Sequence, residues 1–327
     1  MQSYKTILLS LTGLVAVIVV VAFARQQITG NIFMDPTLID HDKKLPPLWL
    51  YYDDSETNTR WWLDFGARNA RNALNLPFLN LSYQTIVAQN SSEYRIEVIY
   101  GLTGVAELLG GWQNMPGNLR SAISSVNQAE MTWIRAAILA KFGGLWLDST
   151  SICIRPFGKL PDNRIVFFGT DLDETYGGDA GTQVPGMKAI WSPKIGERFF
   201  IEWEEISRTR LDKQAGGLQA RGDYKWDWVA LSSKYGCHVD GGAEGARKED
   251  GRRVQLEDLL ASGHGGSLPW KVGEQVRYIP IMWPELRDRE MFGWFLRMSV
   301  DQIMESDLSV RYLYQKGLIV PVQQLSS

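Results

Sequence analysis

An α/β domain, its mostly parallel sheet covered by helices on both faces, is the fold class the sequence predicts. Three observations carry the prediction. From Pro46 onward, short apolar runs of strand length alternate with stretches of helical spacing. Three of the strand candidates end in an aspartate, Asp53, Asp148 and Asp171, and in sheets of this kind ligands bind beyond the carboxyl ends of strands. No low-complexity break or internal repeat interrupts the chain from 46 to 327, which leaves one domain within the size range of α/β enzymes.

Taken in order, LWLYY (48–52) reads as the first strand, running into Asp53-Asp54. TRWWLDFGARNARNAL (59–74) has helical spacing in Leu63, Ala67, Ala70 and Leu74. YRIEVIY (94–100) is a second strand and VAELLGGW (105–112) a short helix. A long helix follows, then Gly143-Gly144, the strand LWLD and another strand, RIVFFGTD (164–171). MKAIWS (187–192) leads as a strand into the helix RFFIEWEEISR (198–208), and YKWDWVALSSKY (224–235) forms a helix behind Asp223 as N-cap. The glycine-rich, charged segments 213–223 and 240–253 fit either mobile active-site loops or plain surface connections.

Composition narrows the function classes. The net charge of −3 arises from acids and bases mixed along the chain, so no basic face marks a nucleic-acid binder. Thirteen tryptophans is a high count; most read as core or helix-packing residues, and the excess suits a surface that stacks on the flat apolar faces of sugars or bases. No G-x-G-x-x-G, G-x-S-x-G or P-loop pattern is present, which argues against nicotinamide, serine-hydrolase and kinase chemistry. His41, His238 and His264 are isolated from any nucleophile or metal-ligand spacing.

Residues 1–27 stand apart. Ile7 to Phe23 carries no charge and is flanked by Lys5 and Arg25; as a helix it would run roughly 26 Å, at the short end of what crosses a bilayer core. It exceeds a signal-peptide core of about 7–15 residues, so a transmembrane anchor is the expectation. A signal peptide cut after Ala22-Phe23-Ala24 is the alternative. A stem or linker follows at 28–45. The expected topology is a single-pass type II protein with its domain in a Golgi-like lumen, or at a bacterial envelope in a prokaryote, and a secreted protein if the N-terminus is cleaved. Cys153 and Cys237 read as two buried thiols, with one disulfide as the alternative. Asn80 (NLS) and Asn90 (NSS) are glycosylation sequons that matter only in a lumen.

The most informative stretch is RAAILAKFGGLWLDSTSIC, residues 135–153. Asn127 and Glu130 resemble a capping box, and Lys141 with Gly143 suits a helix C-terminus. Met131, Ile134, Ile138 and Phe142 form an apolar stripe, and the helix is apolar nearly all round, so it is expected to be buried. Arg135 lies among those apolar positions. A buried guanidinium requires an anionic partner, which is either a structural acid such as Glu130 or Asp148 or the oxygens of a ligand. The two glycines allow only a tight turn, so Asp148 returns close to Arg135. Taken alone, Asp148 could simply cap the turn that follows it.

IRAAILAKFGGLWLDST resembles the signature R-x-x-x-L-x-x-x-G-G-x-x-x-D-x-[D/T] of the capsular polysaccharide synthesis glycosyltransferases, a group related to the Och-type mannosyltransferases and the clostridial toxin glucosyltransferases. LPPLWLYYDD resembles the opening proline-led strand of that group, and VPGMKAIWSPKIGERFFIEW its downstream strand-to-helix segment. The resemblance spans roughly residues 46 to 210. It implies a GT-A-like, nucleotide-diphospho-sugar transferase fold with an enzyme's activity: retaining transfer of a sugar from a nucleotide-sugar donor to a glycan or glycoconjugate acceptor, assisted by Mn²⁺ or Mg²⁺. Arg135 then matches the donor-contacting arginine, and Asp148 the first metal-site aspartate. Thr150 replaces the second acid, and Thr132 stands where an acid three residues before the arginine is usual. Tyr51 and Tyr52 fall where the group places its nucleotide base. Asp171 and Asp173, in GTDLDE, form a literal D-x-D that could add to the metal site.

Two other readings stay open. The substitutions at Thr132 and Thr150 are compatible with a catalytically degenerate glycosyltransferase fold that serves as a binding module at a membrane. Asp148 with Asp171 and Asp173 would also suit a metal-dependent hydrolase of phosphodiesters or glycans.

Overall fold

The computed structural model describes residues 45–53, 76–121, 126–172, 183–215, 225–246, 248, 252–263 and 268–319, all of them in the compact unit Asp40–Ser327. The anchor (1–27), all but the end of the stem, the helix expected at 59–74, the cap Asp223 and Asp173 lie outside the described residues. Among the described residues no helix is long and apolar enough to cross a membrane.

A six-stranded sheet organises the fold. Its strands are β1 (Pro47–Tyr52), β2 (Arg95–Tyr100), β3 (Gly144–Leu147), β5 (Val166–Leu172), β6 (Gln183–Ser192) and β7 (His238–Asp240), in the spatial order β2-β1-β3-β6-β5-β7. β1 pairs in parallel with β2 and β3, and β5 with β7, whereas β6 runs antiparallel to both of its neighbours. The sheet is therefore mixed and mostly parallel, with β6 alone reversed. A second sheet of two short strands, β4 (Ser151–Cys153) and β8 (Tyr278–Pro280), pairs antiparallel.

Helix α1 (Pro77–Asn90) connects β1 to β2 on one side of β1. Helices α2 (Gly101–Leu109) and α3 (Gln128–Phe142) carry the chain back to β3 on the other side. With right-handed crossovers in both directions, α1 and α3 must cover opposite faces, and a crevice opens at the carboxyl ends of β1 and β3 where the direction changes.

The main core lies on the α3 face. Trp49, Trp146, Ile190 and Phe167 from four strands meet Trp133, Ile134 and Ile138 of α3 and Phe199 and Trp203 of α4 (Arg198–Ala215) in one buried cluster. Trp133, Trp146 and Trp203 are among the largest fully buried side chains, and truncating any one to alanine would cost about 3–5 kcal/mol. The Trp133 indole also donates to Glu204 Oε1 at 2.7 Å, with Arg208 stacked over its ring, which pins α3 to α4.

On the other side, α1 packs against β4 and the C-terminal helix α9 (Ser309–Leu318). Their contacts include polar ones: Gln89 donates to the carbonyls of Gly317 and Ile319, and Tyr314 donates to that of Phe78. Between them in sequence come α5 (Lys225–Lys234), α6 (Leu256–Leu260), α7 (Trp283–Asp288) and α8 (Val300–Glu305).

The fold changes one expectation, at the second sequon, and agrees with the reading of the cysteines as thiols. Asn90 is fully buried, and both ends of its amide are engaged: Nδ2 donates to Ile86 O at 3.0 Å and Oδ1 accepts from Phe157 N at 3.0 Å. A glycan cannot be attached there without opening the core, so this sequon is structural; Asn80 lies inside α1. The cysteines are both free thiols, Cys153 buried and Cys237 partly so, and burial pushes each of them up to about 12.

Candidate functional site

The site is built from one continuous piece of chain. Helix α3 starts with a complete capping box: Asn127 Oδ1 accepts from Glu130 N at 3.0 Å, and Glu130 Oε2 accepts from Asn127 N at 2.8 Å. It ends at Gly143, whose N–H bonds to Leu139 O, and the next residue already belongs to β3. Arg135 lies eight residues before this turn, about 12 Å along a helix. Asp148 lies five residues after it, roughly 16 Å along an extended strand. The antiparallel return therefore brings both to a similar height, at the carboxyl end of the sheet.

Arg135 is 7 % exposed, and its guanidinium sits 5.8 Å from the centroid of Trp146, two residues before Asp148. Glu130, one of the acids considered as its partner, is otherwise occupied, because Oε1 accepts from Asn118 Nδ2 at 3.1 Å and Oε2 from Asn127 N. Burial holds the Glu130 carboxyl above the ordinary value, opposed by the Asn127 bond and reinforced by Asp53. Asp53 itself accepts from Val126 N at 2.8 Å, which ties the end of β1 to the start of α3. Thr132 is turned inward on its own helix, donating to Gln128 O at 2.8 Å.

Asp148 caps a turn and is partly exposed. Its N–H bonds to Lys188 O at 2.7 Å, so it prolongs the β3–β6 ladder by one residue. Oδ1 accepts from the backbone N–H and, alternatively, the hydroxyl of Thr150, at 3.2 and 3.0 Å. A hydroxyl has one proton, and Ile281 O competes for it at 2.9 Å. The Thr150 backbone is also paired, its carbonyl accepting from Ile281 N at 3.2 Å. Thr150 is thus a buried staple between the turn and the second sheet. Among the described residues no hydrogen bond falls on Asp148 Oδ2.

The two tyrosines separate by strand alternation. Tyr51 enters the main core cluster, with its carbonyl accepting from Ser149 Oγ at 2.7 Å. Tyr52 lies on the opposite side and stacks on Tyr100 at 6.2 Å. Burial raises the Tyr52 phenol well above its usual range, helped by Tyr100, Tyr83 and Asp148. Each ring is only 6 % exposed, so neither offers an open face for base stacking in this conformation.

Asp171 is in β5, as expected, but register separates its backbone from Asp148. Asp148 is level with Lys188 on β6, whereas Asp171 pairs with Val184, roughly 13 Å farther along that strand and on its other side. Ligands of one hard cation must converge to 2.3–2.6 Å from it. That offset weighs against a shared site and, with it, against the hydrolase reading. Among the described residues no group of three or more His, Cys, Asp and Glu side chains is arranged to hold a metal ion. A Mn²⁺ or Mg²⁺ ion fits only in the sparse manner of one carboxylate, here Asp148 through Oδ2, completed by substrate phosphates and water.

Glu244 and Lys188 escaped the sequence reading. The segment 240–253 fits either a mobile active-site loop or a surface connection, and within it the Glu244 side chain is 2 % exposed and pairs with Lys188 Nζ at 2.7 Å. Arg253 lies 3.9 Å from the same oxygen and donates to the carbonyl and hydroxyl of Thr170. An acid and a base more than fifty positions apart give no local signal of pairing.

No family model matches this sequence, and no curated protein matches it. Among solved structures, the chain is similar to one titled "PaToxG Glycosyltransferase", at a TM-score of 0.33 and 11% identity, over 58% of this chain and 69% of that one.

Proposed function

We propose that the protein is a GT-A-like glycosyltransferase that transfers a sugar from a nucleotide-sugar donor to a hydroxyl of a glycan or glycoconjugate acceptor, with its apolar N-terminal segment as a membrane anchor. The observation that carries this reading is the helix–Gly-Gly–strand unit, which returns Asp148 to the height of Arg135 beside the crevice at the ends of β1 and β3. The resemblance of residues 135–150 to a donor-site signature supports it.

In such a transfer the bond between the anomeric carbon and a diphosphate oxygen breaks, and its electron pair leaves with the nucleoside diphosphate. The acceptor oxygen bonds to the anomeric carbon and its proton passes to a base. Arg135 binds the donor's phosphate oxygens, since a guanidinium stays charged at every working pH and offers a planar fork of donors. Its seat on the Trp146 ring limits the freedom lost on binding. A divalent cation at Asp148 would supply Lewis-acid neutralisation of the charge that grows on the leaving diphosphate. Thr150 holds the Asp148 turn closed, leaving Oδ2 for that task. Tyr52 stays a neutral phenol beside Asp148 and adds no competing charge.

Titration of the full chain in detergent with UDP-sugars and GDP-sugars, with and without Mn²⁺, tests the proposal. One donor class should bind, and Asp148→Ala should remove the metal-dependent part of that binding. Failure of every donor to bind in both conditions would sink it.

A second reading, a degenerate transferase that binds a glycan or protein at a membrane, is favoured by Thr132 and Thr150. Both side chains make intramolecular bonds where acids are expected. Hydrolysis or transfer that depends on metal and on Asp148 excludes it; donor binding without turnover supports it.

A further inference from the structure

β3 and β6 are interior strands until one rung. All of β3, Gly144–Leu147, is buried, and so is every residue of β6 from Val184 to Ser192 except Lys188. Asp148, the next residue after β3, is the first partly exposed position on that side. These two positions face each other across the ladder, through the bond from Asp148 N to Lys188 O at 2.7 Å. Directly opposed residues of an antiparallel pair project to the same face, with Cβ atoms about 4.5–5.5 Å apart. The sheet thus opens to solvent at a rung that carries an acid and a base side by side.

Such neighbours would ordinarily neutralise one another. Here the ammonium is drawn elsewhere: Lys188 Nζ lies 2.7 Å from Glu244 Oε1. Glu244 is held firmly enough to compete. Its carboxylate occupies a slot against the β5–β6 bulge, where a Cβ on Gly169 would collide with it and a Cβ on Gly186 would come within 3.1 Å of Oε2. Arg253, 3.9 Å from the same oxygen, adds a second cation. The pair draws the ammonium toward Glu244, and the Lys188 side chain is 17 % exposed at the rim.

We propose that Lys188 is a second, built-in cation for the donor's diphosphate, set across the rung from Asp148, with Glu244 as the residue that positions it. The inference rests on the donor-site reading of Asp148 and Arg135 given above. In the transfer, the ammonium would hydrogen-bond a diphosphate oxygen on the side away from Asp148. It would stabilise the negative charge left there when the bond to the anomeric carbon breaks, without itself gaining or losing a proton. It also adds to the positive charge that Arg135 brings to the diphosphate.

The test is calorimetric titration of the full chain with inorganic pyrophosphate, UDP and GDP, and with UMP and GMP as monophosphate controls, with and without Mn²⁺. Lys188→Met should weaken pyrophosphate and the bound nucleoside diphosphate about tenfold or more, the worth of one charged hydrogen bond. It should change the corresponding monophosphate much less, and Lys188→Arg should recover most of the loss. Glu244→Gln should weaken pyrophosphate in the wild-type background yet add nothing in the Lys188→Met background, a dependence that general loosening of the fold would not produce. Circular dichroism checks that each variant is folded. Equal pyrophosphate affinity in wild type and folded Lys188→Met would overturn the inference and leave the donor-site reading intact. Absence of binding by wild type to every diphosphate would overturn both.

Discussion

Gly144→Ala offers a direct test of how the helix–strand return is built. Gly144 has φ +92, so an L side chain there pays a left-handed backbone penalty of about 1–2 kcal/mol. Its Cβ would also collide with the carbonyl oxygen of Pro47 on β1 and lie 2.7 Å from Pro47 Cγ. A backbone oxygen and a proline ring cannot swing aside, so β1 and β3 must part locally, at an overpacking cost of about 1–3 kcal/mol. Together these give a loss of about 2–5 kcal/mol, or roughly 3–9 °C in melting temperature for a domain of this size. Gly196→Ala is the control: its φ is +72, but a Cβ there meets nothing within 4 Å, so only the backbone part of about 1–2 kcal/mol applies. Urea unfolding of both variants against wild type, followed by tryptophan fluorescence, separates the two contributions. If Gly144→Ala costs no more than Gly196→Ala, the close approach of β1 and β3 is not what requires glycine there, and the steric reasoning fails.

Glu130→Gln should flatten the dependence of stability on pH. Burial raises the folded-state value of Glu130 above its unfolded one, so its contribution is fully present below the unfolded value and is lost as pH rises through the folded value. Glutamine keeps an acceptor for Asn127 N and has no proton to lose; unfolding profiles from pH 4 to 7 that run parallel in wild type and variant would contradict this. Glu130→Ala, which removes the capping box partner, should cost about 0.5–2 kcal/mol at low pH, where the Glu130 contribution is fully present, and less as pH rises. Asn90→Ala should lose about 1–3 kcal/mol by leaving the buried Phe157 N–H without its acceptor. Mass spectrometry of native protein from a glycosylating host should find Asn90 unmodified, and a glycan at that position would refute the packing described for it.

The parts of this fold that could be read from sequence are those whose signals are local. Helix α3 declared both ends, through Asn127 with Glu130 and through Gly143, and its all-round apolarity marked it as buried. The strands near 48, 95, 144, 166 and 187 were found because each is an apolar run between breaks, although β6 begins at Gln183, earlier than its apolar pattern suggested. Helix α1 was missed for a physical reason. It buries Phe78, Leu79, Leu81, Tyr83 and Ile86 together with Ser82, Thr85, Gln89 and Asn90, so its polar residues do not mark a solvent face. Its N-cap, Leu76, makes no side-chain bond that would signal a start. At the site, Arg135 and Asp148 were legible because one short turn joins them. Lys188 and Glu244 were not, because their meaning depends on strand register and on a loop that returns from β7.

The staple at Thr150 has a consequence for the order in which the protein is made. Its hydroxyl and carbonyl are satisfied by Ile281, a partner 131 positions later in the chain. A ribosome delivers residues at about 5–20 per second, so the nascent Asp148 turn waits several seconds before the strand that closes it exists. During that interval α3 and β3 can already associate with β1 through nearer contacts, while Ser151–Cys153 presents an unpaired edge to whatever else is in solution. The vulnerable period of biosynthesis therefore coincides with an unfinished candidate site. Premature termination before Ile281 would leave the polypeptide with its acid in place but without the two bonds that tie Thr150 to the second sheet.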